Sequence, residues 1–278
     1  MIKPNVSYCE DVKDVHYNPI IDWSKEYFTT VALEEGTFTF SSYTSSNILS
    51  YSLDDGTTWI ELPNKTATPT IAKGDKVLWK GGCVPQSGGT VAIFGIGVFT
   101  STCQFDTQGN IMSLLFKDDF EAQKSLYGKR CAFYKLFANT RVVNANNLKL
   151  PATTLAESCY SSMFQGCTSL TSAPELPATT LAESCYSSMF QGCTSLTTAP
   201  ELPATTLESY CYGYMFYNCT NLNYIKALFT RTPAPKYTDN WVNGVAASGT
   251  FVKNSAATWT TTGVNDIPEG WTVETASA

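Results

Sequence analysis

The chain has 278 residues, enough for two domains of ordinary size. Only 15% of them are charged and 43% are apolar, which excludes a disordered chain. The net charge of −6, with arginine only at Arg130, Arg141 and Arg231, excludes the basic footprint that nucleic acid or an anionic membrane surface requires.

Residues 1–22 (MIKPNVSYCEDVKDVHYNPIID) carry neither the apolar core nor the small-residue cleavage site of a signal peptide. They mix charges and two prolines with Tyr8, Val12, Val15, Tyr17 and Ile20. That is too little apolar surface to order alone, and more than an inert tail needs. Two expectations follow: an assembly arm that orders against a partner subunit, with a homo-oligomer as one outcome, or an edge strand folded back on the next domain. The single histidine, His16, lies here. Its neighbours offer no partner for a Ser–His–Asp or Cys–His site.

Residues 23–110 read as an all-β, sandwich-like domain, a small barrel being the alternative. Segments 27–33 and 37–42 flank Glu34-Glu35-Gly36, and segments 47–53 and 57–62 flank Asp54-Asp55-Gly56, so two hairpins are expected. The longest apolar run, residues 91–99, is broken by Gly95 and Gly97; it reads as a buried strand and is far short of the roughly 18 residues of a membrane span. Ser52-Leu53-Asp54-Asp55-Gly56-Thr57-Thr58-Trp59 resembles the Asp-box of sialidase propellers, S-x-D-x-G-x-T-W. One copy, no room for a propeller and no arginine cluster favour a structural hairpin clamp over a glycosidase.

Residues 111–147 form a connector and a degenerate cap repeat, with a strand expected over 111–116 and a short helix over 119–126. The acidic group Asp118, Asp119 and Glu121 reads as solvated surface rather than an acid–base pair.

Residues 148–228 hold the repeats. PATTLAESCYSSMFQGCTSLTSAPEL (151–176) returns at 177–202 with one change, Thr198 for Ser172, and again at 203–228 with 13 of 26 residues kept. A fixed period without insertions is the mark of a solenoid. Thr154 and Glu157 stand as a capping box, Leu155, Cys159, Met163 and Cys167 form an apolar stripe, and Gly166 suits a left-handed helix end, so each unit is expected to contain a helix. Residues 168–173, closed by Pro174, are expected to add a parallel strand. The frame Y-S-S-M-F-Q-G followed by C-x-x-L-x-x-A-P-E-L-P-A-T-T-L resembles the BspA-like class of leucine-rich repeats, met in surface proteins of anaerobic and host-associated bacteria. The resemblance implies a non-enzymatic scaffold for adhesion or protein contact.

Residues 229–278 read as a C-terminal cap, with a short helix over 238–242, a strand over 250–253, and Trp241, Trp259 and Trp271 closing the last coil or forming a sugar platform. The repeat cysteines are too far apart along one unit for a disulfide, whose Cα atoms sit within about 7 Å, and their spacing does not suit zinc. Buried free thiols are expected instead.

The expected fold class is therefore α+β and multi-domain: a sandwich-like β-domain followed by a short, capped leucine-rich-repeat solenoid. The expected function is a non-enzymatic surface-displayed binding or adhesion module, extracellular on a bacterial surface or a virion, with no cofactor and no metal. Its alternatives are a virion component anchored by the arm, or a carbohydrate-binding protein. Partner contacts, to a protein or glycan of a host or a neighbouring subunit, are expected along the strand edge at Ser169, Thr171, Ser195, Thr197, Asn221 and Asn223.

Overall fold

The computed structural model describes residues 26–87 and 93–276. The arm, with Tyr8, Val12, Val15, Tyr17, Ile20, His16 and Cys9, lies outside the described residues, as do residues 91 and 92 of the single buried strand expected over 91–99; the rest of that run is interrupted at residues 95 and 96.

Alternating inward side chains build the first sheet. In β5 (Lys76–Gly81) Val77 and Trp79 turn inward, and in β2 (Phe38–Ser42) Phe38 and Phe40 do, the two-residue period of a half-buried strand. With β1 (Phe28–Ala32), β3 (Leu49–Ser52), β4 (Ile60–Leu62), β9 (Phe105–Asn110) and β10 (Asn147–Lys149), β5 forms a six-stranded sheet in the order β10-β9-β1-β5-β3-β4. A ribbon of β2 and β8 (Gly97–Ser101) lies across it, and β6 (Gln86–Ser87) pairs with β7 (Ile93–Phe94). Phe38 meets Trp79 and Phe105 edge-on, with ring centroids 6.2 and 5.2 Å apart, and Trp79 meets Phe99 at 5.0 Å. Edge-to-face geometry at these separations is favourable beyond simple burial.

Only one of the two expected hairpins forms. β3 pairs antiparallel with β4 across Asp55 (φ 52°) and Gly56 (φ 88°), the consecutive left-handed pair that a tight hairpin turn demands. β1 pairs instead with β5 and β9, and β2 with β8. Gly36 serves a close approach rather than a hairpin: a Cβ there would lie 2.5 Å from the Cβ of Cys103.

The α+β, leucine-rich-repeat solenoid expectation is overturned. The structure is 26% strand and 3% helix, arranged in several sheets, and no closed solenoid forms among the described residues. The two helices among the described residues, α1 (Ser113–Phe116) and α2 (Pro235–Thr238), are four residues each and lie outside the repeats. α1 takes part of the strand expected over 111–116, no helix forms over 119–126, and α2 precedes the place expected for it.

Where a helix was expected, each repeat runs as a chain of turns. Ser158, Ser162 and Gly166 have φ of 55°, 56° and 72°, and Ser184, Ser188 and Gly192 repeat the pattern at 54°, 55° and 73°. A left-handed residue at every fourth position breaks a right-handed helix. The amides then alternate. Cys159, Ser161 and Met163 donate within the turn to Ala156, Ser158 and Tyr160, while Ser158, Tyr160 and Ser162 donate across to Glu183, Cys185 and Ser187 of the next coil. A helix would have kept all of them for itself.

The apolar spacing of four still faces inward. In a true helix, at about 100° per residue, such a stripe would drift by about 40° at each step; in a four-residue turn it does not drift. Parallel pairing between the repeats is reduced to single bridges, such as Asn144↔Ser172 and Thr154↔Thr180, because the prolines at 174, 177, 200 and 203 donate nothing. From the repeats onward, among the described residues, a parallel sheet forms at the C-terminal end, where β11 (Tyr224–Ala227), β12 (Thr250–Lys253) and β13 (Thr272–Thr275) align.

One core runs through all of this. Phe28, Phe99 and Phe137 join the first sheet to the stack at 5.6–5.7 Å, and Phe137, Phe164, Phe190 and Phe216 then stack at 5.4, 5.7 and 5.9 Å. Phe133, Tyr160, Tyr186 and Tyr212 form a second column at 5.5, 5.7 and 6.1 Å. Trp241 closes both columns.

Candidate functional site

A coil of this kind has an inner row fixed by packing and outer corners free to vary. The third repeat retains the inner row, Cys211, Tyr212, Met215, Phe216 and Cys219, all buried. Its corners change together: Tyr210, Tyr214 and Tyr217 stand where the second repeat has Ser184, Ser188 and Gln191. Tyr210 is 48% exposed and Tyr214 36%, and the rings of Tyr214 and Tyr217 lie 5.7 Å apart at 55°. Tyr210 (φ 52°) and Tyr214 (φ 54°) occupy the left-handed corners, where a bulky residue is an outlier. Beside them Asp239 hydrogen-bonds the Tyr214 hydroxyl, the Asn240 amide donates to Asp239 at 3.0 Å, and the Asn243 amide donates to Asn240 at 3.2 Å. The glutamine rung of the preceding coils, Gln165 donating to Gln191 at 2.8 Å, ends where Tyr217 begins.

The strand-edge residues lie on another side and bind largely to the stack itself. Thr171 donates its hydroxyl to the Val143 carbonyl at 3.0 Å, Ser195 to Thr168 at 2.6 Å, and the Asn221 amide to Thr194 at 2.8 Å. Ser169 and Ser195 are half-buried, while Thr171, Thr197, Asn221 and Asn223 are exposed. The Asn223 backbone bonds Thr197 on one side and accepts from Thr250 on the other. The row is a seam between coils, with its outer atoms open to solvent.

On the side of the prolines, Pro174, Pro177, Pro200 and Pro203 line a hollow of about 300 Å³ with Glu175 and Glu201 at its rim. Lys226 holds Glu201 at 2.9 Å.

The Asp-box acts as a clamp. Asp54 accepts from the Thr58 hydroxyl at 2.6 Å and the Thr58 amide at 2.8 Å, and Ser52 donates to it at 2.7 Å. These bonds, the Thr58 hydroxyl first, hold the Asp54 carboxyl down at about 2. Trp59 donates its ring N–H to the Gly56 carbonyl at 3.0 Å and lies under the Lys80 ammonium, 4.2 Å from its centroid. Lys80 also pairs with Asp118 at 2.8 Å, which lowers that carboxyl. Asp118 accepts from the Tyr27 hydroxyl at 2.5 Å. Burial first, and this bond second, push Tyr27 up to about 12. The member of the acidic group nearest the hairpin is therefore tied into an ion pair.

The thiols are consumed by packing as well. All nine described cysteines are free and buried. Cys167, Cys193 and Cys219 donate Sγ–H to the carbonyls of Phe137, Phe164 and Phe190 at 2.9, 3.2 and 3.0 Å. Burial pushes Cys159, Cys211 and Cys219 up to about 12 and Cys167 to about 11. Trp241, Trp259 and Trp271 are 0%, 5% and 7% exposed, so the sugar platform read at these tryptophans is a buried plug instead. Among the described residues no three His, Cys, Asp or Glu gather to hold a metal, and no helix is long and apolar enough to cross a membrane.

No family model, curated protein or solved structure matches this chain.

The tyrosine corner was open to a reader of the sequence. Aligning the third repeat with the second shows serine and glutamine giving way to tyrosine at three places while the inner row, from Cys211 to Cys219, stays. The spacing becomes one surface only once the turns, rather than a helix, put positions 210, 214 and 217 on the outside.

Proposed function

We propose that the chain is a non-catalytic binding module of an extracellular surface, displaying contact groups on the outer corners of a stack of coils. The observation that carries this reading is the third repeat, whose inner row from Cys211 to Cys219 is retained while its corners turn from serine and glutamine to tyrosine. Tyrosine gives a large contact area at small entropic cost, which is why binding surfaces favour it. The likeness of the repeat sequence to BspA-like surface repeats supports the same reading. So does the chemistry of the thiols, whose depressed ionisation and hydrogen bonds to carbonyls suit them to packing and not to attack. The labelled full chain should adhere saturably to intact host epithelial or bacterial cells in flow cytometry; no saturable adherence to either would overturn the proposal.

A second reading, a component of a virion, is favoured by the free cysteines. Nine unpaired thiols among the described residues suit a chain that folds in a reducing cytoplasm and reaches the outside inside a particle. Capsid or tail genes flanking its own would support this reading, and an isolated secretion locus would remove it.

A further inference from the structure

Three features of the tyrosine corner together specify a ligand chemistry. First, its exposed side chains are aromatic or polar: across residues 209–218 and 236–244, Met215 and Val242 are buried and no other Leu, Ile, Val or Met occurs. A protein hot spot ordinarily adds aliphatic or methionine contacts to its aromatic anchors. Second, the rings of Tyr214 and Tyr217 are splayed at 55° and sit next to a chain of planar polar groups, Asp239, Asn240 and Asn243. Ring faces accept the C–H side of a pyranose, and carboxylate and amide groups pair with its vicinal hydroxyls. Third, among the described residues no lysine or arginine forms an ion pair with Asp239, so its carboxylate, beside the Tyr214 hydroxyl, keeps lone pairs for the hydroxyls of a ligand.

We infer that the corner formed by Tyr210, Tyr214 and Tyr217 with Asp239 and Asn240 is a binding site for uncharged pyranose glycans. This rests on the reading of the chain as a binding module and names its ligand class. At Asp239 the carboxylate disfavours an acidic group, as sialylated and sulfated sugars carry, against the Tyr214 ring. The left-handed corners serve the site by turning two rings outward from a coil whose inner row is fixed.

The test uses the full chain and the double variant Tyr210→Ser/Tyr214→Ser, which restores the residues the second repeat carries at these corners and so leaves the stack intact. On an array of neutral, sialylated and sulfated glycans the wild type should bind neutral pyranosides, and the variant should lose at least about tenfold in affinity, as for removal of an interface anchor. An array without signal, binding confined to acidic glycans, or binding unchanged in the variant would overturn the glycan site. Adherence to intact cells, before and after periodate cleavage of vicinal diols, separates this from the broader proposal. Adherence abolished by periodate and by the variant supports the glycan site. Adherence that survives periodate overturns it but leaves the binding module standing; no adherence in any arm overturns the binding module itself.

Discussion

A serine held at φ near +55° costs about 1–2 kcal/mol relative to the right-handed region, and glycine escapes most of that cost. Ser188 is such a residue, at φ 55° on a half-exposed corner. Ser188→Gly should therefore raise stability in denaturant unfolding by about 0.5–1 kcal/mol, and Ser188→Val should lower it by more than about 1 kcal/mol. If position 188 were helical, the two effects would change order.

At the hairpin, Asp54 is held below its ordinary value of 3.8, at about 2. A depressed carboxyl adds stability that is complete above the unfolded value and is lost as pH falls through the folded one. The Asp54 carboxyl carbon, followed by NMR, should thus titrate with a midpoint near 2; a midpoint near 3.8 would mean that the clamp is not made. The repeat thiols give a third expectation at this scale. Cys159, Cys167, Cys185, Cys193, Cys211 and Cys219 should resist alkylation in the native protein at pH 8 and label fully on unfolding without reductant. Disulfides in the intact mass, or rapid native labelling, would contradict it.

A single coil is held by its columns. Phe190 is fully buried between Phe164 and Phe216, with ring separations of 5.7 and 5.9 Å. Its truncation to alanine should cost about 3–5 kcal/mol by denaturant unfolding of the full chain. Thr171→Ala removes a hydroxyl that reaches Val143 and Asn144 across the seam, and should cost about 1 kcal/mol. Equal costs would mean that the faces of the coil are assigned wrongly. The inner residues of the coil were legible in the sequence because every fourth position is apolar whether the backbone is a helix or a run of turns. The backbone itself was not legible. Cys159, Met163 and Cys167 satisfy both periods, and the decision falls to amides that prefer a neighbouring coil present three times over. Gly166 read correctly as a left-handed residue, and Ser158 and Ser162 hid the same conformation behind a side chain that rarely adopts it.

Over the whole molecule, β9 is the hinge of the architecture. It completes the first sheet beside β1 and accepts β10 in parallel on its other edge, so the sheet itself is the first rung of the stack. The Phe105 and Thr107 amides donate to Arg141 and Asn144 in the first coil, which ties the connector to the β-domain more closely than its sequence shows. The clamp hairpin, by contrast, was fully legible, because Asp-Asp-Gly and its flanking Ser, Thr and Trp are local instructions. The pairing of β1 was not, since it depends on partners at Trp79 and Gln108, far along the chain. At the other end, β13 and the buried tryptophans finish the core.

All of this turns on whether the repeats are stacked turns, because the outward placement of Tyr210 and Tyr214 follows from it. Scalar coupling across hydrogen bonds, measured by NMR on the full deuterated chain, reads the acceptor of each amide directly. The Tyr160 amide should couple to the carbonyl carbon of Cys185, and the Ser162 amide to that of Ser187, one coil ahead. Coupling of Tyr160 to Ala156 and of Ser162 to Ser158 would show a helix, and would contradict the account.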